Sequence, residues 1–135
     1  MEASGTFSTR NFKATGLSPI PEITTSLPVS ISTMDKCYSG AIEGVSATAF
    51  TAAFDMAART GSYIALESFK GALNGKEGTF NFIHSASTTG TDRADEFFCI
   101  VRGSGTGDLK GISGSGGIKI DNDGTHRIWM DYQLE

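Results

Sequence analysis

At 135 residues, with a net charge of -4 and 39% hydrophobic side chains, the chain has the size of one domain able to bury its own core. The acidic balance and the lack of a basic cluster exclude a nucleic-acid surface, and no apolar run is long enough for a membrane-spanning helix. Two cysteines (Cys37 and Cys99) and two distant histidines (His84 and His126) make neither a disulfide scaffold nor a zinc constellation, so no metal or cofactor is expected.

The first residues, Met1 to Gly5, lack the basic-then-apolar layout of a secretory signal, which points to the cytoplasm. Thr6 to Lys13 alternates loosely and reads as a first strand. The closely spaced prolines of Leu17-Ser18-Pro19-Ile20-Pro21-Glu22 exclude a helix interior and a central strand. That segment is a loop, either a plain connection or an arm across a barrel mouth or onto a partner subunit. Val29 to Lys36 is a second strand. Ala41 to Phe54 has alanines that favour helix, yet Val45, Thr48, Phe50, Thr51 and Phe54 are β-branched or aromatic in short-period alternation. A long strand is the better reading.

Ser62 to Leu73 and Lys76 to Ala86 flank Asn74-Gly75, the strongest two-residue hairpin signal because both positions tolerate positive φ. Counting outward from that turn sets Leu73 against Lys76, Gly71 against Gly78, Phe69 against Phe80, Glu67 against Phe82 and Ala65 against His84. All of these lie on one sheet face. Glu67 and His84 are then diagonal neighbours within mutual reach.

Ala86 to Asp95 is polar and reads as an exposed loop. Glu96 to Val101 is a strand leading into a glycine-rich corner that extends from Gly103 to Gly117. The corner lacks the Gly-Lys-Ser/Thr of a phosphate-binding loop and the spacing of a dinucleotide fingerprint, and β-formers follow it instead of a helix. No nucleotide is expected there. Ser104 has no nucleophile elbow around it and reads as a turn residue. Ser113 to Ile120 is a strand, Asp121-Asn122-Asp123-Gly124 a turn, and Thr125 to Leu134 the last strand. That strand sets His126, Ile128, Met130, Tyr132 and Leu134 on one face and Trp129 on the other, outward, where it would suit a subunit interface.

About eight strands with short turns and no strong helix predict a single all-β domain over 1–135, an antiparallel up-and-down barrel. A β-sandwich has the same periodicity and stays open as the alternative.

An ordered set of segments carries a resemblance. It comprises Tyr38-Ser39-Gly40-Ala41-Ile42-Glu43-Gly44, the Glu67 strand, Gly71 to Phe80, His84, Gly103 to Gly114, His126 and Asp131-Tyr132-Gln133-Leu134. Over residues 30 to 134 the chain resembles a family of uncharacterised, mostly bacterial proteins grouped with the allene oxide cyclase barrel. The resemblance implies a calycin-like eight-stranded barrel that forms a homo-oligomer. Arg102 stands where that family usually has proline, and Phe12 where an early tryptophan is expected. The glutamate of plant allene oxide cyclase aligns with no particular residue here.

For the interior, parity places Glu67 among Tyr63, Ala65 and Phe69, where desolvation prepares a carboxylate for acid–base work. His84 is its expected partner, so Glu67 and His84 are the candidate catalytic pair. The same two groups also fit a satisfied internal polar pair that fixes the register. Tyr63, Phe69, Phe80, Phe82, His126, Ile128, Met130 and Tyr132 are the candidate lining of a mostly apolar ligand cavity. Glu43 is expected near the rim, facing solvent. The leading expectation is a barrel that binds a small apolar molecule. An isomerase or cyclase acting on an unsaturated lipid-like substrate is the second, and a structural oligomer with a filled interior the third.

Overall fold

The structure, a computed structural model, describes residues 1–90 and 92–135; Thr91, inside the loop expected after Ala86, lies outside the described residues. Eight strands follow in chain order: β1 (Glu2–Ala14), β2 (Val29–Gly40), β3 (Ile42–Asp55), β4 (Thr60–Leu73), β5 (Lys76–Thr89), β6 (Ala94–Ile100), β7 (Ser113–Ile120) and β8 (His126–Gln133). Each is antiparallel to its neighbour in sequence, and β1 pairs with β8 to close the barrel. The sandwich alternative falls with that closure.

Three strand limits differ from the sequence reading by three residues or more, the others by one or two where they differ. β1 starts at Glu2 rather than Thr6, because Glu2 to Gly5 form the seam with Ile128 to Asp131. β2 continues past Lys36 to Gly40, paired with both neighbours. The polar stretch after Ala86 is still strand as far as Thr89, because Ser87 and Thr88 match Ser62 and Gly61 on the other hairpin arm. Polarity there marks a strand end facing water, not the end of pairing.

The barrel has two unlike ends. One, the floor, carries the Asn74-Gly75 turn and the glycine corner. Asn74 and Gly75 both adopt positive φ, and all five strand pairs counted outward from them are present. The corner is a working part of the floor: its single 3-10 turn, Gly107–Leu109, sends Leu109 inward, and Ile112 follows, both essentially without solvent contact. Gly78 lets this corner lie flat on β5, since a Cβ there would strike the Thr106 carbonyl. Instead Thr106 N–H donates to the Thr79 carbonyl at 2.9 Å.

The other end, the mouth, carries the 15–28 segment, which is exposed almost throughout, with Ile20 95% accessible. Here the wall is also least complete. β6 and β7 share only two ladder pairs, Cys99–Ser115 and Ile100–Gly114. Nearer the mouth, side chains replace the ladder. Ile118 N–H donates to Glu96 Oε2 at 3.1 Å, and Arg93 Nη1 donates to the Ile118 carbonyl at 3.3 Å.

Candidate functional site

Sequence parity puts Glu67 inside, and the fold buries it completely. Its partners come from β2 and β3, not from β5. Lys36 Nζ donates to Oε2 at 2.7 Å, while Tyr38 Oη and Ser46 Oγ donate to Oε1 at 2.7 and 2.8 Å. Lys36 and Tyr38 reach Glu67 because both point inward from β2, in phase with Ser32 and Met34. The side chains of Lys36 and Glu67 are 7% and 0% exposed, so this is a desolvated ion pair satisfied by added hydroxyls. Lys36 Nζ also lies 4.8 Å from the centre of the Phe7 ring. Burial and the adjacent Glu67 charge both push the Tyr38 phenol well above its ordinary value, so it remains a proton donor.

The expected Glu67–His84 contact is therefore corrected. His84 is buried and faces inward, but its Nε2 bonds Glu96 Oε2 at 2.7 Å. That same Glu96 oxygen accepts the Ile118 amide, tying the imidazole to the seam between β6 and β7. Burial lowers the His84 pKa, and Arg93 and Lys36 add to the effect, whereas the hydrogen bond and charge of Glu96 oppose it. Diagonal proximity across β4 and β5 was the right geometry for a meeting. The carboxylate turned instead toward a cation and two hydroxyls on the other side.

The expected lining divides into two groups. Phe69, Phe80, Phe82, Ile128, Met130 and Tyr132 are at most 2% exposed and belong to one continuous core. Ring pairs run through it, with centroids 5.0 Å apart for Phe69–Phe80 and 4.9 Å for the stacked Phe82–Phe98. Tyr63 behaves differently: it faces inward near the mouth but is only half-buried, stacked on Phe50 at 5.3 Å. Burial raises its phenol, opposed by the nearby Arg93 charge. His126 is half-buried on β8, with its ring 5.2 Å from Phe7, and lines an open recess of about 490 Å³ with Thr9, Cys37 and Thr125. Burial lowers its pKa, with Arg93 and Lys36 contributing.

Toward the mouth, small and large inward residues are interleaved. Ser32, Ala52, Ala65 and Ala86 are buried, while Met34 and Phe50, one inward position deeper than Ser32 and Ala52 on their strands, and Tyr63, one nearer the mouth than Ala65, face inward yet meet solvent. At these inward positions, two of them aromatic, the barrel interior meets solvent. Thr48 is 3% exposed between the rim and the ion pair, across β3 and β4 from Glu67. Among the described residues its Oγ1 has no hydrogen-bond partner. Also among the described residues, no three His, Cys, Asp or Glu side chains gather as metal ligands.

Sequence reasoning missed Lys36, Ser46, Thr48 and Glu96 as site residues. Lys36 carried a usable signal, a lysine at an inward position of an alternating strand, where an unpaired charge is expensive.

The profile of one protein family, described as "Protein of unknown function (DUF3224)", matches residues 3–132. The chain belongs to the DUF3224 family. A solved structure from this family, a protein of unknown function from Shewanella oneidensis MR-1, superposes with a TM-score of 0.82 at 24% identity. The match covers 100% of this chain and 98% of that one, and at this identity it shows a shared fold. No curated protein matches the chain. A kinship with allene oxide cyclase itself is not shown by these matches.

Proposed function

We propose that this DUF3224 chain is a small-molecule-binding barrel whose ligand enters at the mouth. A largely apolar body would lie against Phe50 and Tyr63 and stop above the Lys36–Glu67 pair. One observation carries this reading: inward-facing aromatics that still meet solvent stand directly above a fully buried polar cluster. A concave apolar rim over a few fixed polar groups is the usual make-up of a ligand site. The packed floor contributes rigidity and no room.

The test is a titration with propylbenzene, a compact apolar probe, followed by NMR. Shifts at Phe50, Tyr63 and Ala65, with Leu73 and Tyr132 unmoved, support the reading. Shifts at neither end leave a filled structural barrel. Native mass spectrometry of gently purified protein shows whether a ligand is already carried.

A cyclase-like reaction is the second reading, supported by the buried carboxylate of Glu67. Both oxygens of Glu67 already accept hydrogen bonds, which suits a charge stabiliser better than a proton acceptor. Self-association is a separate part of the proposal. Ile64, Leu66, Phe97 and Trp129 are exposed on the outer wall, and light scattering at micromolar concentration tests whether they associate.

A further inference from the structure

Buried hydroxyls almost always find a partner, because a dry one gives up its hydrogen bonds to water with nothing in return. Thr48 Oγ1 is the exception among the described residues of this barrel. Its position makes the exception informative. Thr48 stands opposite Met34 on β2, and Lys36 stands opposite Ser46 on β3, so Lys36 and Thr48 are diagonal neighbours on the inner wall. An ammonium has three N–H groups. One of those on Lys36 goes to Glu67 and the Phe7 ring faces the cation, which leaves donor capacity on a side chain 7% exposed.

Resting on the ligand-binding reading, we infer that Lys36 Nζ and Thr48 Oγ1 are the anchor for an sp² oxygen acceptor, a carboxylate or ketone oxygen carried on the apolar ligand. The charges facing this space fit such a group. Lys36 and Arg93 are its permanent cations, and Glu67 and Glu96 its carboxylates. Glu67 is committed to Lys36, Tyr38 and Ser46, and Glu96 to His84 and the Ile118 amide. Both anions therefore have their partners, while the donors of Lys36 and Thr48 are not used up. A ligand amine would meet a cation and a hydroxyl with no free acceptor carboxylate beside them. An acceptor oxygen completes both side chains.

The experiment compares four molecules with one shared body: propylbenzene, 4-phenyl-2-butanone, 3-phenylpropionate and 3-phenylpropylamine, titrated against wild type and Thr48→Val. The valine keeps the shape and removes the hydroxyl. For wild type, the ketone, the carboxylate or both should bind at least about tenfold more tightly than propylbenzene, and the amine no better than propylbenzene. Thr48→Val should erase most of that preference while its melting temperature stays equal or rises, because a dry hydroxyl has been replaced by a methyl group. A purely structural threonine would not separate affinity from stability in this way. Equal binding of all four molecules overturns the anchor and leaves the ligand-binding reading intact. Binding of none overturns both. A lowered melting temperature in Thr48→Val overturns the anchor alone, since the hydroxyl then holds the fold together.

Discussion

The floor and the mouth of this barrel obey the same alternation of side chains, yet one became a solid core while the other keeps inward side chains in contact with water. At the floor, Leu73, Phe80, Leu109, Ile112 and Tyr132 close the end completely, aided by a glycine corner that folds its own apolar residues inward. At the mouth small inward residues, Ser32, Ala52, Ala65 and Ala86, are interleaved with Met34, Phe50 and Tyr63, which still meet solvent, and charges are set among them. Inward parity is therefore no guarantee of core. What separates the halves is whether the end is covered: the glycine corner caps the floor with Leu109 and Ile112, and the 15–28 segment at the mouth stays exposed.

The largest expected effect sits at the junction of the two halves. Glu67→Ala strands a buried ammonium and two hydroxyls, and should cost about 3–5 kcal/mol in urea unfolding. Pairing it with Lys36→Met should recover most of that loss; failure to recover would mean that the cluster is not an isolated charge pair. Next, Leu73→Ala should cost about 2–5 kcal/mol, as expected for a cavity in a close-packed core. The equivalent truncation at the mouth, Phe50→Ala, should cost about 1 kcal/mol, because that ring is already half in water. Equal losses at the two positions would break the distinction between the ends.

A smaller effect is expected at the β6–β7 seam. Glu96→Gln weakens a charge-assisted bond to the Ile118 amide, costing about 1 kcal/mol. Hydrogen exchange should accelerate at Ile118 and remain slow in the fully paired β4–β5 hairpin. The smallest effect is a pH dependence. Burial holds His84 below its ordinary pKa, so under about pH 6.5 the unfolded chain takes up a proton that the folded one resists. Stability is then full above that range and declines as pH falls through it, with His126 acting in the same direction. His84→Gln should flatten part of that slope in denaturation midpoints measured between pH 7.5 and 5.5.

Much of the fold was legible because its signals are local. Asn74-Gly75 set a register that holds along the whole hairpin, and β7 spans the expected residues. Inward placement of Glu67 and His84 followed from the same counting. The partner of Glu67 did not, because which inward residue of β2 or β3 comes alongside depends on strand tilt and stagger around the closed ring. The sequence reading ends the second strand at Lys36, whereas β2 goes on to deliver Tyr38 to the same carboxylate.

The sequence by itself determined about eight antiparallel strands, the Asn74-Gly75 hairpin register and the side-chain parity along that hairpin and the last strand, since turns and period-two alternation act over a few residues. Only the tertiary structure decided that Glu67 pairs with Lys36, that Glu96 holds both His84 and the seam, and that Thr48 is left without a partner among the described residues. Those outcomes depend on side chains from strands far apart in sequence meeting in a closed ring, which no local signal specifies.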